Sequence, residues 1–359
     1  MFAHEHVTLR TGERSRLPII IAIHSTALGD AVGGCRLWTY PGWRDGLADA
    51  LRLSEAMTLK CAAAGLDFGG AKAVIPLPPD TVLGRRRRED VFLDFGDAVQ
   101  SLGGRYRAGE DVGTTAGDLW IARQRTEWAY CLPEGHGGSG EPSELTAVGA
   151  FASIEATWRH VAGTTSLARR RVTVIGLGQV GGRLARRLAD AGAALTVTDI
   201  DPSRRLLADE LGARWVEPEV AATVPADVLV PAALGGLLSR DVATRLNCTA
   251  IAGPANNQLQ DDGVAEVLAA RGILWAPDFV VNAGGVIHGA ILDIRGGTWA
   301  EAHSAARAIG TRLTELYRLA EATGRTPYAA ALAAARQRIH GDGNHGSGSA
   351  NSRPNVSPR

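Results

Sequence analysis

The sequence predicts an α/β protein of two domains, the second built on a doubly wound parallel sheet, and three observations carry that prediction. At 359 residues the chain exceeds what one hydrophobic core usually organises. From Arg170 onward strands alternate with helices: VTVIG, a helix through Ala191, LTVTD, a helix through Leu211, then ADVLVPA, TAIAG and ILWAPDFVV. Such alternation implies a parallel sheet wrapped by helices. A glycine-rich turn joins the first of these strands to its helix.

Composition then excludes several classes. The 38 basic and 38 acidic residues cancel, so no broad field favours nucleic acid or a membrane surface as partner. The run Arg85 to Arg88 reads as a solvated loop before a helical stretch from Val91. Cys35, Cys61, Cys131 and Cys248 stand far apart, without zinc-ligand spacing, so no metal is expected and the default compartment is a reducing one. The amino terminus lacks a signal-peptide pattern and no apolar run reaches membrane-spanning length, which predicts a soluble, unprocessed, cytoplasmic protein.

Taken in order, LPIIIAI from Leu17 to Ile23 reads as a buried strand and Leu47 to Ala64 as a helix with Gly65 at its C-cap. KAVIPL from Lys72 is apolar on both faces, as inside a covered sheet. Helical spacing returns from about Trp299 to Leu319 and from Pro327 to Ile339, and these helices are expected to pack back on the first domain. Beyond His340 the chain has almost no apolar residues and reads as disordered. The domains expected are 1–143, holding the catalytic and oligomerisation surfaces, 144–305 for the nucleotide, 306–340 for the returning helices, and a tail at 341–359.

Gly176, Gly178 and Gly181 stand in GxGxxG spacing between a strand and an amphipathic helix. The first glycine permits the tight turn, the second lets backbone approach a pyrophosphate, and the third lets helix and strand pack closely. The pyrophosphate would sit on the helix N-terminus. Asp199 closes the next strand, where an acidic residue meets ribose hydroxyls and would repel a 2′-phosphate, so the Rossmann-type site favours NAD over NADP. Arg204 and Arg205 stand close enough to blunt that preference, or serve as solvated helix positions.

Ala50, Leu53, Met57, Lys60 and Ala64 share one helical stripe, which places a lysine among core-facing side chains. Lys60 is then either a snorkelling residue near the helix C-terminus or a preformed cation awaiting a carboxylate. Lys72 follows Gly69, Gly70 and Ala71 at the entry to an apolar strand, where burial would lower its pKa as a catalytic lysine requires. In GEDVGTT, Glu110 and Asp111 stand at a loop, as a turn or as a catalytic acid.

Together these segments resemble the leucine, phenylalanine and valine dehydrogenases of the glutamate dehydrogenase superfamily. The resemblance runs in register from about Leu17 to Ile339, through LGDAVGGCRLW, MTLKCAAAGLDFGGAKAVI, GEDVGTT, GSGEPSELTAVG, VIGLGQVGG, ALGG, GPANNQL and APDFVVNAGGVIH. It implies NAD-dependent, reversible oxidative deamination of a hydrophobic L-amino acid to the 2-oxo acid and ammonia, by a homo-oligomer. It assigns Lys60, with Gly34 at the GGCR turn and Asn282, to the substrate carboxylate. Lys72 becomes the catalytic lysine, Asp111 the group exchanging protons with ammonia, and Thr146 and Asn256 the holders of the nicotinamide carboxamide.

Four positions depart from the family pattern: Ala71 in place of the third glycine before the catalytic lysine, Asp30 in place of proline, Glu144 within PSELTA, and Pro254 in GPANN. The side-chain pocket implied by the resemblance is lined by Val32, Gly109, Val286 and Gly289. The two glycines replace larger residues, which predicts a wider pocket and phenylalanine over leucine or valine, unless Ile291 or Leu292 fills the space. Two rival functions share the nucleotide domain. A 2-hydroxy-acid dehydrogenase needs a carboxylate-binding Arg and a His paired with an acid, for which His24, His136 and His288 are available. A catalytically inactive NAD sensor would retain the fold without turnover.

Overall fold

The computed structural model describes residues 3–342 apart from Leu234. The amino-terminal part holds β1 (His6–Thr11), β2 (Pro18–Ser25), β3 (Ala31–Thr39), α1 (Trp43–Ala63), β4 (Gly69–Leu77), α2 (Arg85–Gln100), β5 (Tyr106–Glu110) and α3 (Ala116–Arg123). Its five strands lie in the order β1-β2-β4-β3-β5. β1 and β2 are antiparallel, β2 is antiparallel to β4, and β3 runs parallel to both β4 and β5.

The two faces of this sheet bury different things. Ile19, Ile21, Ile23, Cys35, Ala71 and Ala73 alternate onto one face and pack with Val91, Phe92 and Phe95 of α2 and Leu119 of α3. Ile20, Ala22 and Val74 point the other way, against Ala50 of α1. Gly70 lies on this second face, where a Cβ would stand 2.1 Å from the Thr58 backbone nitrogen, so α1 can cross the sheet only over a bare backbone.

α4 (Ser143–Ala162) leads into the second sheet, whose elements are β6 (Arg171–Ile175), α5 (Gln179–Asp190), β7 (Ala194–Thr198), α6 (Arg205–Glu210), β8 (Arg214–Trp215), α7 (Pro218–Ala221), β9 (Ala226–Pro231), α8 (Arg240–Arg245), β10 (Cys248–Ile251), α9 (Val264–Ala270) and β11 (Leu274–Trp275). All its pairings are parallel, in the order β11-β10-β9-β6-β7-β8. The order reverses between β6 and β9, the doubly wound arrangement in which ligands bind at the switch point. α10 (Asp278–Val281) and α11 (Gly284–His288) then lead to α12 (Trp299–Thr323) and α13 (Pro327–Asp342). α12 packs along α4, and α13 returns to α1, where Arg338 donates to the Ala62 and Leu66 carbonyls, each at 3.0 Å.

Several expectations need correction. The arginine run is no loop: α2 starts at Arg85, and Arg88 donates to Asp118 at 2.6 and 2.7 Å. GGCR is not a turn but the middle of β3, and Gly69 to Ala71 already belong to β4. ILWAPDFVV is not one strand, because Pro277 ends it and the Asp278 carboxylate accepts from the Gln258 and Phe279 amides at the start of α10. Gly341 and Asp342, placed in the tail, continue α13, and residues 343–359 lie outside the described region.

Candidate active site

The register of the first sheet assembles the site. Val32 beside Gly70 and Cys35 beside Ala73 put Gly34 level with Lys72, Ala22 pairs with Lys72 on the other side, and Gly34 pairs with Gly109. One row therefore crosses the sheet as Ala22, Lys72, Gly34, Gly109. Paired residues share a face, so the lysine stands on the α1 side next to two positions without side chains. At Gly34 a Cβ would lie 2.7 Å from that of Asp111, which makes glycine the residue that lets Asp111 reach the row.

Lys72 Nζ lies 2.9 Å from Asp111 Oδ2, and Arg36 Nε donates to the same oxygen at 2.8 Å. Arg36 Nη1 continues to Asp49 at 2.9 Å, and Asp49 also accepts from Tyr40 Oη at 2.6 Å. Burial works against charge on Asp111, but Lys72 and Arg36 overcome it and hold the carboxyl down to about 2. Burial lowers the Lys72 amine below its ordinary value, with Asp111 opposing and Arg36 assisting. Lys60 is lowered for the same first reason, against the pull of Asp278.

These groups line one cavity of about 290 Å³ between the two sheets, shared by Leu53, Met57 and Lys60 of α1, Lys72, Asp111, Asn256, Asp278 and Asn282. Lys60 Nζ donates to Asn256 Oδ1 at 3.0 Å, and Asn282 Nδ2 donates to that oxygen at 2.8 Å. Asn282 Oδ1 is buried without a partner among the described residues, an acceptor left for a donor that enters the cavity.

At the switch point of the second sheet, the three glycines behave differently. Gly176 has φ +102, and a Cβ on Gly181 would stand 2.0 Å from the Gly176 carbonyl oxygen, so turn and helix packing each need a glycine. A Cβ on Gly178 would meet nothing within 4 Å, so the space above the α5 N-terminus is open where a pyrophosphate would approach. Asp199 Oδ2 accepts from the Leu177 amide at 2.6 Å and Oδ1 from the Asp201 amide at 2.9 Å. Its carboxylate thus braces the glycine turn, with lone pairs left for a ribose.

Of the residues expected from sequence, Lys60, Lys72, Asp111, Asn256 and Asn282 line the cavity. Thr146 does not; its hydroxyl donates to the Pro142 carbonyl at 3.1 Å and it packs against Gly284 and Gly285. Val32 is wholly buried, Val286 half-buried, and neither borders the cavity. Gly109 and Gly289 do not open it either, because the Tyr130 ring occupies the space both vacate. Ile291 and Leu292 instead pack on Leu145 and Ala302.

The four departures are accommodated. Ala71 is a buried strand residue without positive φ, so its Cβ costs nothing in backbone. Asp30 pairs with Arg107 at 3.0 Å, Glu144 pairs with Arg187, and Pro254 lies between β10 and β11.

Sequence reasoning missed Arg36, Asp49 and Asp278, although Arg36 and Asp278 stand inside quoted motifs. A stronger signal also went unread: all but two of the 38 basic residues are arginine, and the two lysines are Lys60 and Lys72. Arginine cannot give up its proton, whereas a buried lysine amine shifts readily, so these two cations differ from all the others in the chemistry open to them.

Fold and site together are those of a two-domain dehydrogenase. Residues 1–131 match the domain described as "Glu/Leu/Phe/Val dehydrogenase, dimerisation domain", and residues 204–293 match "Glutamate/Leucine/Phenylalanine/Valine dehydrogenase". The chain is 40% identical to a phenylalanine dehydrogenase of Caldalkalibacillus thermarum, over 89% of this chain and 86% of that one. It is 37% identical to a leucine dehydrogenase of Thermoactinomyces intermedius, over 94% and 91%. The solved L-tryptophan dehydrogenase from Nostoc punctiforme superposes with a TM-score of 0.83 at 34% identity, over 95% of this chain and 97% of that one. The chain belongs to the Glu/Leu/Phe/Val dehydrogenase family and is an amino-acid dehydrogenase, an oxidoreductase acting on the CH-NH2 group of its donor.

Proposed function

We propose that the chain catalyses the NAD-dependent, reversible oxidative deamination of a hydrophobic L-amino acid, phenylalanine ahead of leucine and valine, to the 2-oxo acid and ammonia. The observation that carries the reading is the Lys72–Asp111 pair at 2.9 Å, in a cavity that also receives Lys60. Lys60 Nζ and Asn282 Nδ2, with the Gly34 backbone, take the substrate carboxylate. Lys72 polarises the carbonyl and activates the water that attacks the imine, while Asp111, ionised beside it, exchanges protons with ammonia. Protonated amines stabilise the developing oxyanion in a site that excludes water.

In this reading Gly176, Gly178 and Gly181 at the start of α5 would take the pyrophosphate of NAD, Asp199 the ribose, and Asn256 after β10, with Thr146 of α4, the carboxamide. When bound, NAD accepts the hydride from the substrate Cα. The same reading divides the chain at 143 and 305, has α13 return to the first domain, and makes the protein a cytoplasmic homo-oligomer that binds neither nucleic acid nor membrane. No helix among the described residues is long and apolar enough to cross a membrane.

A 2-hydroxy-acid dehydrogenase finds no support in the cavity. Arg36 is engaged by Asp111 and Asp49, and His24, His136 and His288 lie on Thr58, Trp120 and Ser139. An NAD sensor is disfavoured by the assembled Lys60, Lys72 and Asp111. NADH formation from the proteinogenic L-amino acids at alkaline pH, with lactate-like acids as controls, tests the reading. Turnover of the hydroxy acids alone, or NAD binding without turnover, would overturn it.

A further inference from the structure

Asp111 presents its two carboxylate oxygens unequally. Oδ2 takes both cations, Lys72 Nζ at 2.9 Å and Arg36 Nε at 2.8 Å, while Oδ1 accepts no hydrogen bond among the described residues. A guanidinium facing a carboxylate ordinarily forks, with two parallel N–H groups of one edge taking both oxygens. Arg36 does not fork on Asp111. Its Nη2, the neighbour of Nε on that edge, donates to neither oxygen, and Nη1 is turned to Asp49 at 2.9 Å. One oxygen of Asp111 is thereby left open where the proposed reaction needs a proton acceptor.

The turn of the guanidinium has an identifiable cause. Arg36 pairs with Val74 in the sheet, two residues past Gly34 on the same face, and it borders two cavities. The inner one holds Lys60, Lys72 and Asp111; the outer one, of about 580 Å³, is lined by Trp38, Tyr40, Asp45, Asp49 and Arg52. Asp49 is fixed from three directions: Oδ2 accepts from Arg36 Nη1 and from Tyr40 Oη at 2.6 Å, and Oδ1 accepts from Arg52 Nη2 at 2.7 Å. Burial opposes its charge, but Tyr40, Arg52 and Arg36 prevail and keep the carboxyl below its ordinary value. Asp49 lies about three turns before Lys60 on α1, so one helix brings both the anchor of Arg36 and a lysine of the inner cavity.

We propose that Asp49 is a positioning residue for the reaction: by holding the outer end of Arg36 it keeps the guanidinium from closing a fork on Asp111, and so leaves Asp111 Oδ1 open to the proton exchanged with ammonia. The inference rests on the deamination reading. Asp49 does not border the inner cavity, so it acts through Arg36 alone. Wild type, Asp49→Ala, Asp49→Asn, Arg36→Gln and the two double variants are compared by kcat and KM for the preferred L-amino acid, with thermal unfolding to report folding. Asp49→Ala lowers kcat at least tenfold and leaves KM within about threefold, because Lys60 is untouched. Asp49→Asn, which keeps an oxygen acceptor without the charge, falls between it and wild type. In the Arg36→Gln background no guanidinium remains to close on Asp111, so either Asp49 substitution changes kcat by less than about twofold. A merely structural Asp49 would bring the same loss in both backgrounds. If Asp49→Ala does not fold, Asp49→Asn completes the same cycle. Wild-type kcat in the folded Asp49 variants, or equal losses with and without Arg36, would overturn the role of Asp49 and leave the deamination reading standing. Inactivity of the wild type on every amino acid would overturn both.

Discussion

Lys60 Nζ reaches across the cleft to Asn256 Oδ1 at 3.0 Å, tying α1 of the first sheet's unit to the segment after β10 of the second. In the proposed roles Lys60 belongs to the substrate carboxylate and Asn256 to the nicotinamide, so each here occupies the other's ligand-binding atom. Lys60 and Asn256 are thus satisfied by one another, and entry of substrate exchanges one charged hydrogen bond of Lys60 for another.

Lys60→Ala is expected to raise KM for the amino acid far more than it lowers kcat. A charged hydrogen bond contributes roughly 1.5–3 kcal/mol, which corresponds to about 10- to 150-fold in KM. The Kd for NAD, read by fluorescence titration, should change little. A KM within twofold of wild type would remove Lys60 from the carboxylate site.

The glycine turn separates stability from binding. Gly178→Ala introduces a Cβ into open space at φ −64, so its unfolding free energy should stay within about 0.5 kcal/mol of wild type while NAD binding weakens at least tenfold. Gly181→Ala, whose Cβ would stand 2.0 Å from a carbonyl oxygen, should lose stability in the range of about 1–3 kcal/mol for overpacking. Urea unfolding and NAD titration of the two variants check both. Equal NAD affinity in Gly178→Ala and wild type would place the pyrophosphate elsewhere.

The second sheet was legible because its strands are continuous apolar runs between helices of clear period, as covered parallel strands must be. Three of the five strands of the first sheet, β1, β3 and β5, were not. β3 carries Gly33 and Gly34 in its interior and β5 carries Gly109, and glycine weakens every local strand signal. Those glycines answer to contacts distant in sequence: a Cβ on Gly33 would stand 1.8 Å from the Ala71 carbonyl oxygen. Lys60, Lys72 and Asp111 could be singled out by residue type and motif. Arg36 could not, because its two carboxylate partners, Asp49 and Asp111, meet only in the folded chain. Tyr130 escaped for the same reason, since filling by a residue beyond β5 cannot be read from Gly109 or Gly289 alone.

Arg36→Gln should move the pH response in a defined direction. Asp111 is held at about 2 in the folded chain against an ordinary 3.8, so its contribution to stability is full above the ordinary value and is lost as pH falls through the folded one. Without Arg36 the carboxyl titrates higher, and acid unfolding, followed by tryptophan fluorescence, should begin at higher pH than in wild type. Lys72 loses a repelling neighbour, so the pH profile of kcat/KM should also shift upward. Superimposable acid transitions would mean that Arg36 does not hold Asp111.

Asp199→Ala should weaken NAD and narrow the gap to NADP, because the carboxylate that would repel a 2′-phosphate is gone. It also removes the acceptor for the Leu177 amide, so a loss of about 1 kcal/mol in stability should accompany the change. An unaltered preference between the two nucleotides, with lowered stability, would confine Asp199 to bracing the turn.

The central claim, that Lys72 performs the chemistry on a substrate delivered to the first sheet while the nucleotide is held by the second, is tested most directly by Lys72→Ala. NADH formation from L-phenylalanine and L-leucine should fall at least a thousandfold, and the Kd for NAD should remain within about threefold of wild type. A Lys72→Ala enzyme that turns over at a near-normal rate would contradict the account.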